Sequence, residues 1–264
     1  MTHLQSLAAE NRLKLDDIMG LFDHALLHPT LTDAQLRSEL ADLCPYRIAT
    51  VCIKPHAVSL ACEVLQGTQI GVGTVIGFPH GSPLPQVKAV EAERAFADGA
   101  SEVDMVVNVG KVLGGDWGFV REDIRAVLDV ARVHKGILKV IFETDYLTED
   151  RDKIRLCEIC SELKVDFVKT STGFGFVKEA GGKYSYQGAT DHDLRLMRSH
   201  SAADIGVKAS GGVRSLEDVL RAIEIGVTRI GTSSTQHIYQ EALKRFGGEP
   251  IQVAVPSTRA DSGY

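Results

Sequence analysis

Three observations predict an α/β chain folded as a (β/α)8 TIM barrel with an extra N-terminal helix. Short β-branched, apolar runs alternate with longer segments of helical period, the pattern of βα units around a parallel sheet. About eight such runs can be counted, the number that closes a barrel. The chain's 264 residues match the size of one barrel domain.

The strands are expected at residues 20–25, 48–53, 70–77, 102–109, 138–143, 167–170, 206–209 and 229–231. Among the helices, one opens on Ser215 with Asp218 three residues on, a capping-box pattern. Its apolar residues Leu216, Val219, Leu220 and Ile223 recur at helical spacing. Residues 119–134 and 147–163 carry similar stripes, and Thr148 and Thr190 read as N-caps. Residues 4–19 read as one helix that could cover the barrel bottom. Two segments break the rhythm: a polar, Gly-rich stretch from Gly173 to Gly188, long for a βα loop and read as a lid, and a tail at 247–264. No composition break divides the chain, so residues 1–264 read as a single domain.

Composition narrows the function classes. The net charge of −6 argues against nucleic-acid binding, which usually shows a basic footprint. No apolar run is long enough for a transmembrane helix, and residues 1–17 lack a signal-peptide pattern, so no membrane partner is expected. Five scattered cysteines fit a reduced cytoplasmic protein better than a disulfide framework.

The informative residues are charges placed where strands should be apolar. Lys169 and Lys208 each follow a β-branched residue and precede a Gly turn. Strand side chains alternate, so Val168 and Val207 point to the helix layer and the lysines point inward. Adjacent strands lie about 4.8 Å apart, which brings the two amines close. A free lysine, with a pKa near 10.4, is only about 0.04% neutral at pH 7. A neighbouring ammonium and desolvation both favour the neutral amine, the nucleophile needed to attack a carbonyl. Asp104 and Asn108 share one face of the fourth strand, and Lys139 and Glu143 one face of the fifth. A buried ion-pair network is the competing structural role for any one of these residues.

Three strand ends combine Gly with hydroxyl residues: Ser171-Thr172-Gly173, Ser210-Gly211-Gly212 and Gly231-Thr232-Ser233-Ser234. The last two follow the seventh and eighth strands, where barrels often hold phosphate on backbone N–H groups. Other signals are weaker. Cys157-x-x-Cys160 has no second pair and lies in a helical stripe, so zinc is not expected. His24-x3-His28 sits at a strand end, Asp191-His192-Asp193 marks a helix start, and Trp117 reads as packing.

The segments Glu102-Val-Asp-Met-Val-Val-Asn-Val-Gly, Lys139-Val-Ile-Phe-Glu-Thr, Asp166-Phe-Val-Lys-Thr-Ser-Thr-Gly-Phe, Gly206-Val-Lys-Ala-Ser-Gly-Gly-Val-Arg and Arg229-Ile-Gly-Thr-Ser-Ser resemble the deoxyribose-phosphate aldolase family. The likeness runs from about Phe22 to Ser234 and includes the turn Gly77-Phe-Pro-His-Gly. It implies reversible cleavage of 2-deoxy-D-ribose 5-phosphate to D-glyceraldehyde 3-phosphate and acetaldehyde, without metal or other cofactor, by a cytoplasmic homodimer. It implies Lys169 as the Schiff-base lysine, Lys208 as the lysine that perturbs it, and Asp104 as a proton-relay carboxylate. Gly173, Gly211, Gly212, Ser233 and Ser234 are implied to hold phosphate, with Asp23 and Thr170 at the substrate. The final Tyr264 is implied to reach the site as a proton relay.

Three features depart from the family pattern. Ala25 stands where Thr is usual after Asp23-His24, Phe174 stands where some relatives carry a lysine, and the loop through Gly188 is longer than in many relatives. With Phe174 in place, phosphate charge falls to backbone groups and Arg214. The alternatives are another Schiff-base aldolase or phosphosugar isomerase on the same barrel, and a non-catalytic phosphosugar-binding protein.

Overall fold

The computed structural model describes residues 2–10 and 12–247. Eight parallel strands close into a barrel. In chain order they are β1 (Phe22–Leu26), β2 (Thr50–Ile53), β3 (Gly71–Ile76), β4 (Glu102–Val106), β5 (Ile137–Ile141) and β6 (Phe167–Lys169). A short antiparallel pair follows, β7 (Val177–Lys178) and β8 (Tyr184–Ser185), before the last barrel strands β9 (Gly206–Ser210) and β10 (Arg229–Thr232). β6 pairs directly with β9, and β10 returns to β1.

Alternation explains the layering. The outward residues Val103, Met105, Val140, Val168, Val207 and Ile230 are all fully buried under the helix layer. Each such side chain contributes roughly 1.5–3 kcal/mol by leaving water. The covering helices present matching stripes. α7 (Trp117–Val133) buries Val120, Ile124, Val127 and Ala131, and α10 (Leu216–Ile225) buries Leu216, Val219, Leu220 and Ile223. The box at the start of α10 forms as expected, with the Ser215 side chain accepting from the Asp218 N–H. Thr190 likewise caps α9 (Asp191–His200) by accepting from the Asp193 N–H.

Four expectations need correction. The N-terminal stretch is two helices, α1 (His3–Ala9) and α2 (Leu15–Met19). Lys14 between them is extended and its N–H donates to Asp17, while Leu13 is driven into the core at 0% exposure. Thr148 does not cap a helix; Glu149 is the N-cap of α8 (Asp150–Leu163). The fourth strand stops at Val106 because the Asn108 side chain accepts from the Lys111 N–H and starts a short helix, α6 (Val109–Leu113). The fifth stops at Ile141, and Glu143 takes a left-handed backbone (φ 59°), so it does not share a strand face with Lys139.

The Gly173–Gly188 stretch is ordered around β7 and β8 rather than structureless. Four further helices complete the layer: α3 (Asp33–Leu43), α4 (Val58–Val64), α5 (Pro85–Ala97) and α11 (Thr235–Phe246) flank their strands in sequence. Residues 248–264, including Tyr264, lie outside the described residues.

Candidate active site

The register sets Lys169 beside Lys208 across β6 and β9. It also sets Asp104 beside Lys139 across β4 and β5. All four point into the barrel, where each is 3% exposed or less. Lys169 Nζ and Lys208 Nζ both donate to Asp104 Oδ2, at 2.7 Å each. Lys139 Nζ takes the other oxygen, Asp104 Oδ1, at 2.7 Å. The network continues downward: Lys208 also donates to Asp23, Lys139 to Glu102, and Arg229 to Asp23 Oδ1 (2.7 Å) and Glu102 Oε2 (2.9 Å).

This interior holds four cations, Lys139, Lys169, Lys208 and Arg229, against three carboxylates, Asp23, Glu102 and Asp104. One positive charge is uncompensated, and Lys169 pairs with a single carboxylate, Asp104. Its pKa is lowered by burial and by the Lys208 ammonium, with Asp104 opposing both. Lys208 is buried as deeply, but Asp104 and Asp23 outweigh that burial and hold it charged. Burial pushes Asp104 up, yet Lys139, Lys169 and Lys208 together hold it well below the usual carboxylate range. The same balance holds Asp23 low, through Lys139, Lys208 and Arg229. The arrangement sets an amine whose pKa is lowered beside an ammonium held charged and a buried carboxylate, the groups that imine formation and proton transfer use.

Above the lysines opens a cavity of about 260 Å3. Lys169, Lys208, Asp23, Gly173, Gly211, Gly212 and Ser233 all line it, with Ala25, Cys52, Phe174 and Arg214. Asp104 lies beneath, reaching the cavity through the two amines. Thr170 and Ser234 are not part of the wall. The fully buried Thr170 hydroxyl donates to Ser210 O at 2.8 Å and ties β6 to β9. Ser234 is the N-cap of α11, and its N–H donates to Thr232 Oγ1 at 2.9 Å. Both oxygens of Asp23 are engaged by the network, so its role reaches beyond a simple substrate contact. Phe174 packs edge-on against Phe78, with ring centroids 5.5 Å apart, and offers no cation.

The discounted signals have ordinary partners. His24 Nδ1 meets Thr235 Oγ1 at 2.9 Å. Asp150, His192 and Asp193 have metal-like spacing, but Lys153 Nζ sits on Asp150 (3.0 Å) and Asp193 (2.6 Å). Cys157 and Cys160 are buried, and burial pushes both thiols up. Sequence reasoning missed Arg229 and Glu102 as members of the charge network, although each is a charge opening an apolar strand. It also missed Tyr186, whose position in a polar loop carries no periodic signal.

Comparisons with known proteins agree with this fold. The family model described as DeoC/LacD family aldolase matches residues 18–241. A deoxyribose-phosphate aldolase from Rhodopirellula baltica is 44% identical over 248 residues, covering 94% of this chain and 97% of that protein. Among solved structures, the aldolase QR15 is 36% identical with a TM-score of 0.78, covering 87% of this chain and 97% of its own. A tetrameric deoxyribose phosphate aldolase from Aeropyrum pernix is 27% identical with a TM-score of 0.74, covering 90% and 95% respectively. With its closed barrel and paired interior lysines, the chain belongs to the DeoC/LacD family of aldolases.

Proposed function

We propose that this protein cleaves 2-deoxy-D-ribose 5-phosphate reversibly to D-glyceraldehyde 3-phosphate and acetaldehyde, with Lys169 as the nucleophile. The observation that carries the reading is the shared Asp104 oxygen, which gathers two buried lysine amines at the floor of the cavity. The neutral Lys169 amine adds to the C1 aldehyde of the open-chain sugar, and loss of water gives a protonated imine. That imine is the electron sink, so the reading calls for no metal or cofactor. A base removes the C3 hydroxyl proton, the C2–C3 bond breaks, and its electron pair moves to C2 as an enamine while glyceraldehyde 3-phosphate departs. The enamine then takes a proton at C2, and water hydrolyses the resulting imine to release acetaldehyde.

Asp104 balances the imine's positive charge, and with Lys208 and water it moves the protons. Lys208 stays charged and keeps Lys169 neutral enough to react. The turns at Gly173, Gly211 and Gly212, with Ser233, receive the phosphate on backbone N–H groups. The reading includes a single domain working as a cytoplasmic homodimer. The tetrameric relative supports a homo-oligomer, and no helix among the described residues is long and apolar enough to cross a membrane.

Borohydride reduction in the presence of acetaldehyde, followed by peptide mass spectrometry, tests the chemistry. The expected adduct is on Lys169, absent from Lys169→Leu, with turnover of deoxyribose 5-phosphate by the untreated enzyme. An adduct on another lysine, or no turnover, overturns the reading.

A further inference from the structure

The inserted segment between β6 and α9 places Tyr186 against the cavity. The Tyr186 hydroxyl is buried and has no hydrogen-bond partner among the described residues. Buried polar atoms are nearly always partnered, so this one calls for an acceptor. Three glycines crowd around it. A Cβ added to Gly211 would lie 1.8 Å from Tyr186 Oη, one on Gly188 2.9 Å and one on Gly173 3.9 Å. Gly211 therefore serves two ends: its φ of +88° makes the turn, and its missing side chain admits the phenol.

The placement is built rather than loose. Asp145 accepts from the Gln187 N–H at 2.6 Å and the Gly188 N–H at 3.1 Å, clamping the residues that follow Tyr186. Its second oxygen also takes the Ser171 hydroxyl at 3.5 Å, joining the segment to the β6 turn. Phe176 packs on the Tyr186 ring at 5.8 Å between centroids. Burial, then the carboxylates of Asp145 and Glu143, push the phenol up, and Arg214 opposes them weakly. The hydroxyl is thus protonated at neutral pH and available as a donor.

We propose that Tyr186 is a phosphate-recognition residue, whose hydroxyl donates to a phosphate oxygen seated between the Gly173 turn and the Gly211-Gly212 turn. The proposal rests on the phosphosugar reading above. It adds a buried, unpartnered donor to a lining that already offers Arg214, the Ser233 hydroxyl and backbone N–H groups, since Lys169 and Lys208 are engaged with Asp104 below.

Two measurements on wild type, Tyr186→Phe and Tyr184→Phe test it; the Tyr184 ring, on the same hairpin, is 64% exposed. Calorimetric titration with inorganic phosphate reads binding without turnover. The ratio of kcat/KM for 2-deoxyribose 5-phosphate to that for 2-deoxyribose reads recognition during catalysis. Tyr186→Phe is expected to weaken phosphate about tenfold and to lower the ratio by a similar factor, the scale of one hydrogen bond to a charged group. Tyr184→Phe is expected to change neither. Equal phosphate affinity in wild type and Tyr186→Phe, or a wild type that takes no phosphate, overturns the proposal. A wild type that binds phosphate through Tyr186 but cleaves no deoxyribose 5-phosphate overturns the cleavage reading and leaves this one standing.

Discussion

Lys169 and Lys208 donate to one and the same oxygen, Asp104 Oδ2, yet their pKa values move in opposite directions. The difference lies in what else each amine touches. Lys208 has Asp23 as a second carboxylate, whereas Lys169 has only Asp104. One acid more or less decides which of two adjacent lysines is held charged and which is shifted toward the neutral amine.

The first prediction follows from that asymmetry. Removing the Lys208 charge removes a repulsion from protonated Lys169, so the Lys169 pKa must rise toward its ordinary value. Less neutral amine is then present at pH 7, and more returns as pH increases. Lys208→Leu should lower kcat/KM at pH 7 by about 10²–10⁴-fold, and the acid limb of its pH profile should move to higher pH. A pH-rate series on both enzymes checks this. An acid limb that stays in place removes Lys208 from the electrostatics of the nucleophile.

The second concerns Lys139, which holds Asp104 Oδ1 at 2.7 Å, reaches Asp23 at 3.3 Å and contacts Glu102. At 1% exposure it has no water to replace those partners when it is lost. Lys139→Met strips the buried Asp104 Oδ1 of its donor and takes a contact from Asp23 and Glu102, and should cost about 3–5 kcal/mol. Urea unfolding gives the value directly. A loss under about 1 kcal/mol would mean that water or rearrangement reaches the network.

The sequence made some of this legible and hid the rest for physical reasons. Lys169 and Lys208 could be assigned to the interior because a strand has a strict two-residue period, and Val168 and Val207 fix its phase. Asn108 defeated the same rule: its side chain competes for a backbone N–H and ends the strand sooner. The break in the N-terminal helix was hidden because Leu13 is buried by the tertiary fold, which helical periodicity does not report. Ion-pair partners such as Arg229 and Glu102 are 127 residues apart, and only barrel closure joins them. The resemblance implies Thr170 at the substrate, but its hydroxyl turns to Ser210 O on the next strand, a pairing that only the closed barrel reveals.

The third prediction is a stability linkage at His24. Burial lowers its pKa from 6.5 to about 4, and its ring meets Thr235 Oγ1. Below pH 6.5 the unfolded chain takes up a proton that the folded chain refuses until about pH 4, so stability is present above that window and lost as pH falls through it. At about 1.4 kcal/mol per pH unit, the loss amounts to about 3 kcal/mol. His24→Gln cannot titrate and should lose correspondingly less stability between pH 7.5 and pH 4.5. Urea midpoints at those two pH values decide it. Asp23 and Asp104, both depressed, contribute stability that is lost only at lower pH, below their ordinary 3.8.

The fourth prediction lies outside the cavity, between α5 and α7. Lys88 Nζ donates to Asp123 Oδ2 at 2.6 Å and to Val106 O at 2.8 Å, and both side chains are 1% exposed or less. Burial lowers the lysine and raises the aspartate, so both are pushed toward their neutral forms. Asp123 Oδ1 is buried with no partner among the described residues. Desolvation is therefore a large cost of this pair. Lys88→Met alone strands a buried carboxylate and should cost about 3–5 kcal/mol. Lys88→Met with Asp123→Leu removes both charges and should recover most of that loss, short by about 1 kcal/mol for the Val106 carbonyl that loses its donor. A double-mutant cycle by urea unfolding measures the coupling. If the double variant is as unstable as the two single losses added together, the coupling is absent and the pair's attraction is not what holds β4 against the helix layer.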